Sequence, residues 1–189
     1  MFNDTSSLPN YLGTRRSGKP RDMVAPGPDD AMLDVILALA ARTPDHGKLF
    51  PWRFVIVDDR AALAQVLANA FVASNPEARA GQIEAAVEFI YNAPALVILL
   101  YSPQESAKVP AWEQKLSTGA VGMNLLHAIH AHGFVGSWIT GWAAFDRHVR
   151  TAVTGDGEEI AGFFFIGTPG KELEERPRPD LTQIVRHWP

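Results

Sequence analysis

The chain reads as one domain with a mixed α/β sandwich fold. Three observations carry this: strand-like and helix-like segments alternate along the sequence, 47% of its 189 residues are hydrophobic against 20% charged, and no segment repeats at a fixed period. A solenoid or low-complexity array is thereby set aside, and the length fits one core.

Residues 1–13 are mostly polar and without an apolar run, so they are expected to be a flexible segment ahead of a single domain at 14–189. From Asp29, DDAMLDVILALAART opens with acidic residues and spaces its apolar side chains at helical intervals, predicting an N-capped, mostly buried helix that Pro44 closes. WRFVIV at 52–57 is β-branched and aromatic, with the turn DDR behind it, and predicts a strand. Helices are predicted at 60–71 and 76–92, the second closed by Pro94. ALVILLYS at 95–102 is a continuous apolar run, the pattern of a strand covered on both faces. The longest helical pattern, 112–132, is rich in Ala, Gly, Leu and Met and lacks Lys, Arg, Asp and Glu after Lys115, so it belongs in the centre or in an interface. Gly133 stops it. FVGSWIT then gives a strand, 145–154 a short helix, and IAGFFFIG at 160–167 the last strand before a tail rich in Pro and Arg. The closing LTQIVRHW reads either as a final strand or as an arm reaching onto a partner subunit.

Composition excludes several functions. The net charge of −4 and pI near 5.8 give no global positive field for nucleic acid or an anionic membrane. There is no cysteine, which removes disulfides, thiolate metal sites and thiol nucleophiles, so redox work needs a borrowed cofactor. The apolar runs fall far short of the ~20 residues that span a bilayer, and the expected location is cytoplasmic.

Four local patterns carry candidate chemistry. Thr14-Arg15-Arg16-Ser17 offers two guanidinium groups and a hydroxyl, suited to a phosphate or a flavin pyrimidine edge, though an exposed basic pair can also be plain solvated surface. The loop Arg42-Thr43-Pro44-Asp45-His46-Gly47-Lys48 can aim several polar groups at one ligand, or be a capped turn. Residues 133–141, GFVGSWITG, place small residues around a strand end, where a ligand ring can approach the backbone; a buried Gly-flanked strand is the alternative. Gly167-Thr168-Pro169-Gly170, followed by Arg176 and Arg178 between prolines, is a loop or a stiff arm that aims charge at a phosphate. His127, His130 and His132 lack a carboxylate at ligand spacing, so no metal site is expected. No GxSxG elbow supports a serine hydrolase.

Taken together, RRS at 15–17, RTPDHGKLFPWRF at 42–54, KVPAWEQKLSTGA at 108–120, GFVGSWITG at 133–141 and IAGFFFIGTP at 160–169 resemble the nitroreductase family of FMN-dependent oxidoreductases, in particular its short single-domain members. The resemblance implies an α+β fold with a central, mainly antiparallel sheet flanked by helices. It also implies an obligate-type homodimer with two FMN sites across its interface. By that similarity Arg15, Arg16 and Ser17 bind the FMN phosphate, ribityl chain and pyrimidine edge, Arg42 and His46 approach from the loop, and Trp138, Ile139 and Thr140 line the ring. Arg176 and Arg178 fall where members place basic phosphate ligands, and 128–133 matches a stretch linked with the nicotinamide cofactor. Asp45, His46, Lys48 and Phe50 stand where larger members carry small polar residues, so substrate choice does not transfer.

The expected activity is ping-pong transfer of hydride or electrons from NAD(P)H through FMN to a nitroaromatic, quinone or related acceptor, with no catalytic side chain required. The alternatives are a flavin-binding sensor or carrier, and a same-fold enzyme of dehydrogenation or dehalogenation.

Overall fold

The computed structural model describes residues 1–189. Its five strands form one sheet in which every pairing is antiparallel. The mixed α/β sandwich read from alternation alone is therefore corrected to α+β, as the resemblance implied. Alternation in sequence says nothing about strand direction, because the connections here return to neighbouring strands in the opposite sense.

The long strand β5 (Glu159–Pro169) organises the sheet. One edge pairs with β3 (Ala95–Tyr101), which in turn pairs with β2 (Trp52–Ile56). The other edge takes β4 (Val135–Ile139) along Phe163 to Gly167, and the short β1 (Met23–Val24) pairs with the end of β5 at Thr168 and Pro169. Strand alternation splits the apolar runs between two cores. Leu96, Ile98, Leu100, Phe163 and Phe165 face one side, whereas Val97, Leu99, Phe164 and Ile166 face the other. That two-sided burial is why the sequence of β3 and β5 shows no polar alternation.

The helices cover both faces. On one side lie α2 (Asp30–Ala40) and α5 (Ala111–Ala131), which contribute Leu33, Ile36, Val121, Leu125 and Ile129. On the other lie α3 (Arg60–Ser74), α4 (Ala80–Val87), α6 (Trp142–Phe145) and α7 (Arg147–Val153), with Leu63, Leu67, Ala143 and Val149 in that core. Asp29, Asp59 and Asp146 cap α2, α3 and α7 by accepting from backbone N–H groups in their first turns. The helix predicted at 76–92 is shorter, with a 3-10 turn at Glu88–Tyr91 after α4. The one predicted at 145–154 is α7, and the one-turn α6 precedes it, separated where Asp146 leaves helical geometry to cap α7. No helix is long and apolar enough to cross a membrane.

The termini carry structure that the local sequence does not signal. Within 1–13, expected to be flexible, α1 (Leu8–Thr14) starts under a Ser7 cap and buries Tyr11. The Tyr11 hydroxyl lies 2.9 Å from His130 Nδ1 and 2.8 Å from His127 Nδ1, both on α5. One buried aromatic in a mostly polar stretch gives no periodic signal, so this anchor was illegible. At the other end LTQIVRHW is not a strand: it holds the one-turn helix α8 (Leu181–Ile184), and every residue from Glu174 to Pro189 is exposed.

Burial, then the charges of Arg15 and His127, push the His130 pKa from 6.5 down to about 3. A depressed histidine stabilises the fold fully above the unfolded-state pKa, and that contribution falls away as pH drops below 6.5 toward the folded value. Urea unfolding free energy should therefore drop by about 1.4 kcal/mol from this residue between pH 7.5 and 5.5. His130→Gln should lose that share of the dependence; an equally steep profile in the variant would assign it to other groups.

Candidate functional site

The β1–β5 pairing, with Met23 opposite Pro169, lays the start of the C-terminal tail beside the chain that leaves α1. Arg15 ends α1 in an extended conformation and sends Arg16 and Ser17 along one wall of a cleft. Lys19, Glu174 and Arg176 line it too, and Met23 and Val135 supply apolar lining. Arg16 is buried, with 7% of its surface exposed; its Nε donates to the Glu174 carbonyl at 2.6 Å and sits 3.8 Å from Glu175 Oε1. Arg178 donates to the Arg15 carbonyl at 3.3 Å and to Glu175 at 2.9 Å.

Arg15, Arg16, Arg176 and Arg178 thus gather at one place. Burial, then the charges of Arg176 and Arg178, hold the Arg16 pKa below the usual guanidinium value. Lys19 pairs with Glu174 and Lys171 with Asp22, while Arg15 and Arg176 pair with no carboxylate. A group of guanidinium ions opposed mainly by Glu175 favours an anion with several oxygen acceptors.

The remaining candidates lie outside this cleft. Arg42 is exposed just beyond α2. His46 is largely exposed and its Nδ1 meets Glu113 Oε2 at 2.8 Å, which ties the loop to the first turn of α5. Asn124 of α5 donates to Thr43 Oγ1 at 2.6 Å and adds a second tie. Asp45 accepts from the N–H groups of Leu49 and Phe50, supporting a loop in which Gly47, Lys48 and Phe50 take positive φ of 82°, 58° and 49°.

Trp138 points inward. Its ring stacks on Phe164 with centroids 5.1 Å apart, and its Nε1 donates at 3.0 Å to the carbonyl of Ala161, a residue skipped where the β3–β5 register shifts. Gly122 and Gly162 leave room for the indole: a Cβ on Gly162 would fall 2.1 Å from Trp138 Nε1, and one on Gly122 2.8 Å from the ring. Ile139 and Thr140 line a separate apolar pocket with Phe89 and Trp142. One chain therefore unites Arg15, Arg16, Ser17, Arg176 and Arg178, and leaves Arg42 and His46, and Ile139 and Thr140, on other surfaces.

Sequence reasoning missed Lys19, Glu174 and Glu175, which sit in short mixed-charge runs that look like solvated surface, and Glu113, whose partner lies 67 residues away. Of the histidines, His127 and His130 hold Tyr11, and His132 Nδ1 meets the Ala128 carbonyl at 2.8 Å. No three His, Asp or Glu residues gather as a metal-binding group.

An antiparallel sheet covered by helices on both faces, with an arginine cleft where the N-terminal helix meets the C-terminal tail, defines an α+β protein equipped to hold an anionic ligand. Residues 14–168 match the nitroreductase family, and the chain belongs to that family of flavin oxidoreductases. It is 31% identical over 170 residues to YdjA of Escherichia coli (strain K12), a protein assigned by name to the NAD(P)H nitroreductases, covering 88% of this chain and 92% of YdjA. A Haemophilus influenzae protein of the same assignment is 32% identical over 169 residues, covering 87% and 89%. The nitroreductase-like family protein from Bacillus cereus superposes with a TM-score of 0.83 at 20% identity, covering 97% of this chain and 96% of that one. The FMN and NADPH-dependent nitroreductase NfnB from Sphigopyxis sp. strain HMH gives 0.75 at 19% identity, covering 97% and 99%.

The indole seat is directly testable. Gly162→Ala should cost about 1–3 kcal/mol in urea unfolding, because the added methyl meets Trp138 and the Ile139 carbonyl rather than a flexible side-chain end. An unchanged midpoint would show that the indole can leave its seat freely.

Proposed function

We propose that the protein is an FMN-dependent oxidoreductase that passes electrons from NAD(P)H to nitroaromatic, quinone or related organic acceptors by a ping-pong mechanism, and that it acts as a homodimer. The observation that carries this reading is the arginine cleft: on the family's fold, it supplies the cationic donor set that a flavin phosphate and pyrimidine edge require. Arg15, Arg16 and Ser17 hold the phosphate, ribityl chain and pyrimidine edge, with Arg176 and Arg178 adding charge. Arg16 and Arg178, which pair with Glu175, would exchange that carboxylate for the more highly charged phosphate.

When bound, FMN would supply the redox chemistry between NAD(P)H and the acceptor. The chain's own residues position and stabilise. Guanidinium groups near the pyrimidine edge favour the negative charge that develops there. Trp138, Ile139 and Thr140, at the end of β4, would line the ring, with the Trp138 indole fixed by its stacking on Phe164 and its bond to the Ala161 carbonyl.

Dimerisation is supported by exposed apolar side chains on helices: Leu8 and Leu12 of α1, Val35 and Leu39 of α2, and Trp112 and Leu116 of α5. A second copy seated there also accounts for Arg42 and His46 lying outside the arginine cleft of their own chain, since each site then takes its loop from the partner.

Purified protein should be yellow, and its flavin absorbance should bleach with NADPH or NADH under anaerobic conditions. Bound flavin that neither cofactor reduces would instead make the protein a carrier. Arg15→Ala should weaken FMN binding roughly tenfold to a hundredfold while leaving the nicotinamide KM nearly unchanged; an unchanged FMN dissociation constant would return the basic pair to solvated surface. Light scattering should give a dimer, and a monomer that retains FMN would refute the shared site.

A further inference from the structure

Arg15, Arg16 and Ser17 lie on a strip of chain with few fixed points. Residues 3–16 are tied mostly to one another: Asn3 exchanges hydrogen bonds with the Arg16 backbone at 2.8 and 3.0 Å, the Asn3 N–H donates to the Thr14 carbonyl at 3.1 Å, and the Asp4 N–H to Thr14 Oγ1 at 3.0 Å. These contacts make a unit without fixing where it sits. Contacts from Arg15 and Arg16 to the tail reach an exposed segment, a weak reference point. Downstream, Gly18 lies against Val135, where an added Cβ would be 3.0 Å from the valine. Upstream, the sole buried residue of α1 is Tyr11.

The hydrogen bonds at Tyr11 have a defined direction. The Gly136 N–H donates to His130 Nε2 at 3.3 Å, so neutral His130 carries its proton on Nδ1. That proton is donated to the Tyr11 oxygen at 2.9 Å, which leaves the Tyr11 O–H to donate to His127 Nδ1 at 2.8 Å. Both rings also meet the phenol edge-on, with centroids 5.3 and 5.9 Å away. Arg15 is the charged group that acts on Tyr11 and both histidines, and no carboxylate does. The relay therefore joins α1 to α5 and, through Gly136, to β4, with the tyrosine hydroxyl used as both acceptor and donor.

We infer that Tyr11, held between His127 and His130, is a positioning residue for the cofactor cleft: it sets where Arg15, Arg16 and Ser17 present their donors. The functional half of this inference rests on the FMN reading above; the geometric half does not. Tyr11 touches no reacting atom and acts through the strip that follows it.

The test removes the hydroxyl and keeps the ring. Tyr11→Phe should weaken FMN binding about tenfold in a fluorescence titration. His127→Leu, which removes the acceptor, should do the same, whereas His127→Asn, whose Oδ1 stands near the place of Nδ1, should restore binding to within about threefold of wild type. The double variant Tyr11→Phe with His127→Leu should bind no more weakly than either single variant, because both break one relay. In FMN-free protein the backbone amide resonances of Arg15, Arg16 and Ser17 should shift in Tyr11→Phe and His127→Leu and return in His127→Asn. Amides that stay in place in both deletions overturn the inference whatever the titration gives. A wild-type protein that binds FMN, with a Tyr11→Phe variant that matches it, also overturns it, even if that variant melts earlier, since a purely structural tyrosine has that effect. A wild-type protein that binds no FMN refutes the cofactor reading, and the amide shifts then decide the positioning alone. Should Tyr11→Phe fail to fold, the His127 pair makes the same comparison.

Discussion

The antiparallel pairing of β5 on both of its edges is the constraint on which the rest of the molecule depends. Its hydrogen bonds to β3 and β4 place Phe163 and Phe165 in one core and Phe164 and Ile166 in the other. Its last residues pair with β1, and that pairing carries the tail back beside α1. The arginine cleft is a consequence, because Arg16 and Arg176 come from opposite ends of the chain and meet where β5 ends.

The same strand explains how Trp138 is used. An extra residue at Ala161 would leave a carbonyl without a ladder partner, and the indole N–H takes it. Glycine at 162 and at 122 provides the space. A bulky aromatic at the end of a Gly-flanked strand looks from sequence like a surface for a ring-shaped ligand. Here the partly buried ring stacks on Phe164 and its N–H completes the sheet's packing, with Ile139 and Thr140 beside it at the end of β4.

The polar ties divide by purpose. Carboxylates at Asp29, Asp59 and Asp146 finish helices, while Asp45, His46, Thr43, Glu113 and Asn124 shape one loop and fasten it to α5. Tyr11, His127 and His130 do the same for α1. The nitroreductase scaffold thus holds α1 and the loop at 42–48 by side-chain contacts to the long helix, which is itself clamped against the sheet by Val121, Leu125 and Ile129.

The sequence alone determined the elements whose signal is local. The apolar runs of β3 and β5, the periodic helices α2 and α5 with their stop signals, and the motifs that place the chain among nitroreductases were all legible, because burial on both faces and helical spacing leave their mark within one segment. The basic residues Arg15, Arg16, Arg176 and Arg178 could be picked out singly as well. Strand direction, the fate of Trp138, the helix anchored by Tyr11 and the meeting of the two arginine pairs were decided by tertiary structure. Each depends on contacts between residues far apart in sequence, such as Tyr11 with His130 or Arg16 with Glu174, and no local pattern encodes which distant partner a side chain will find.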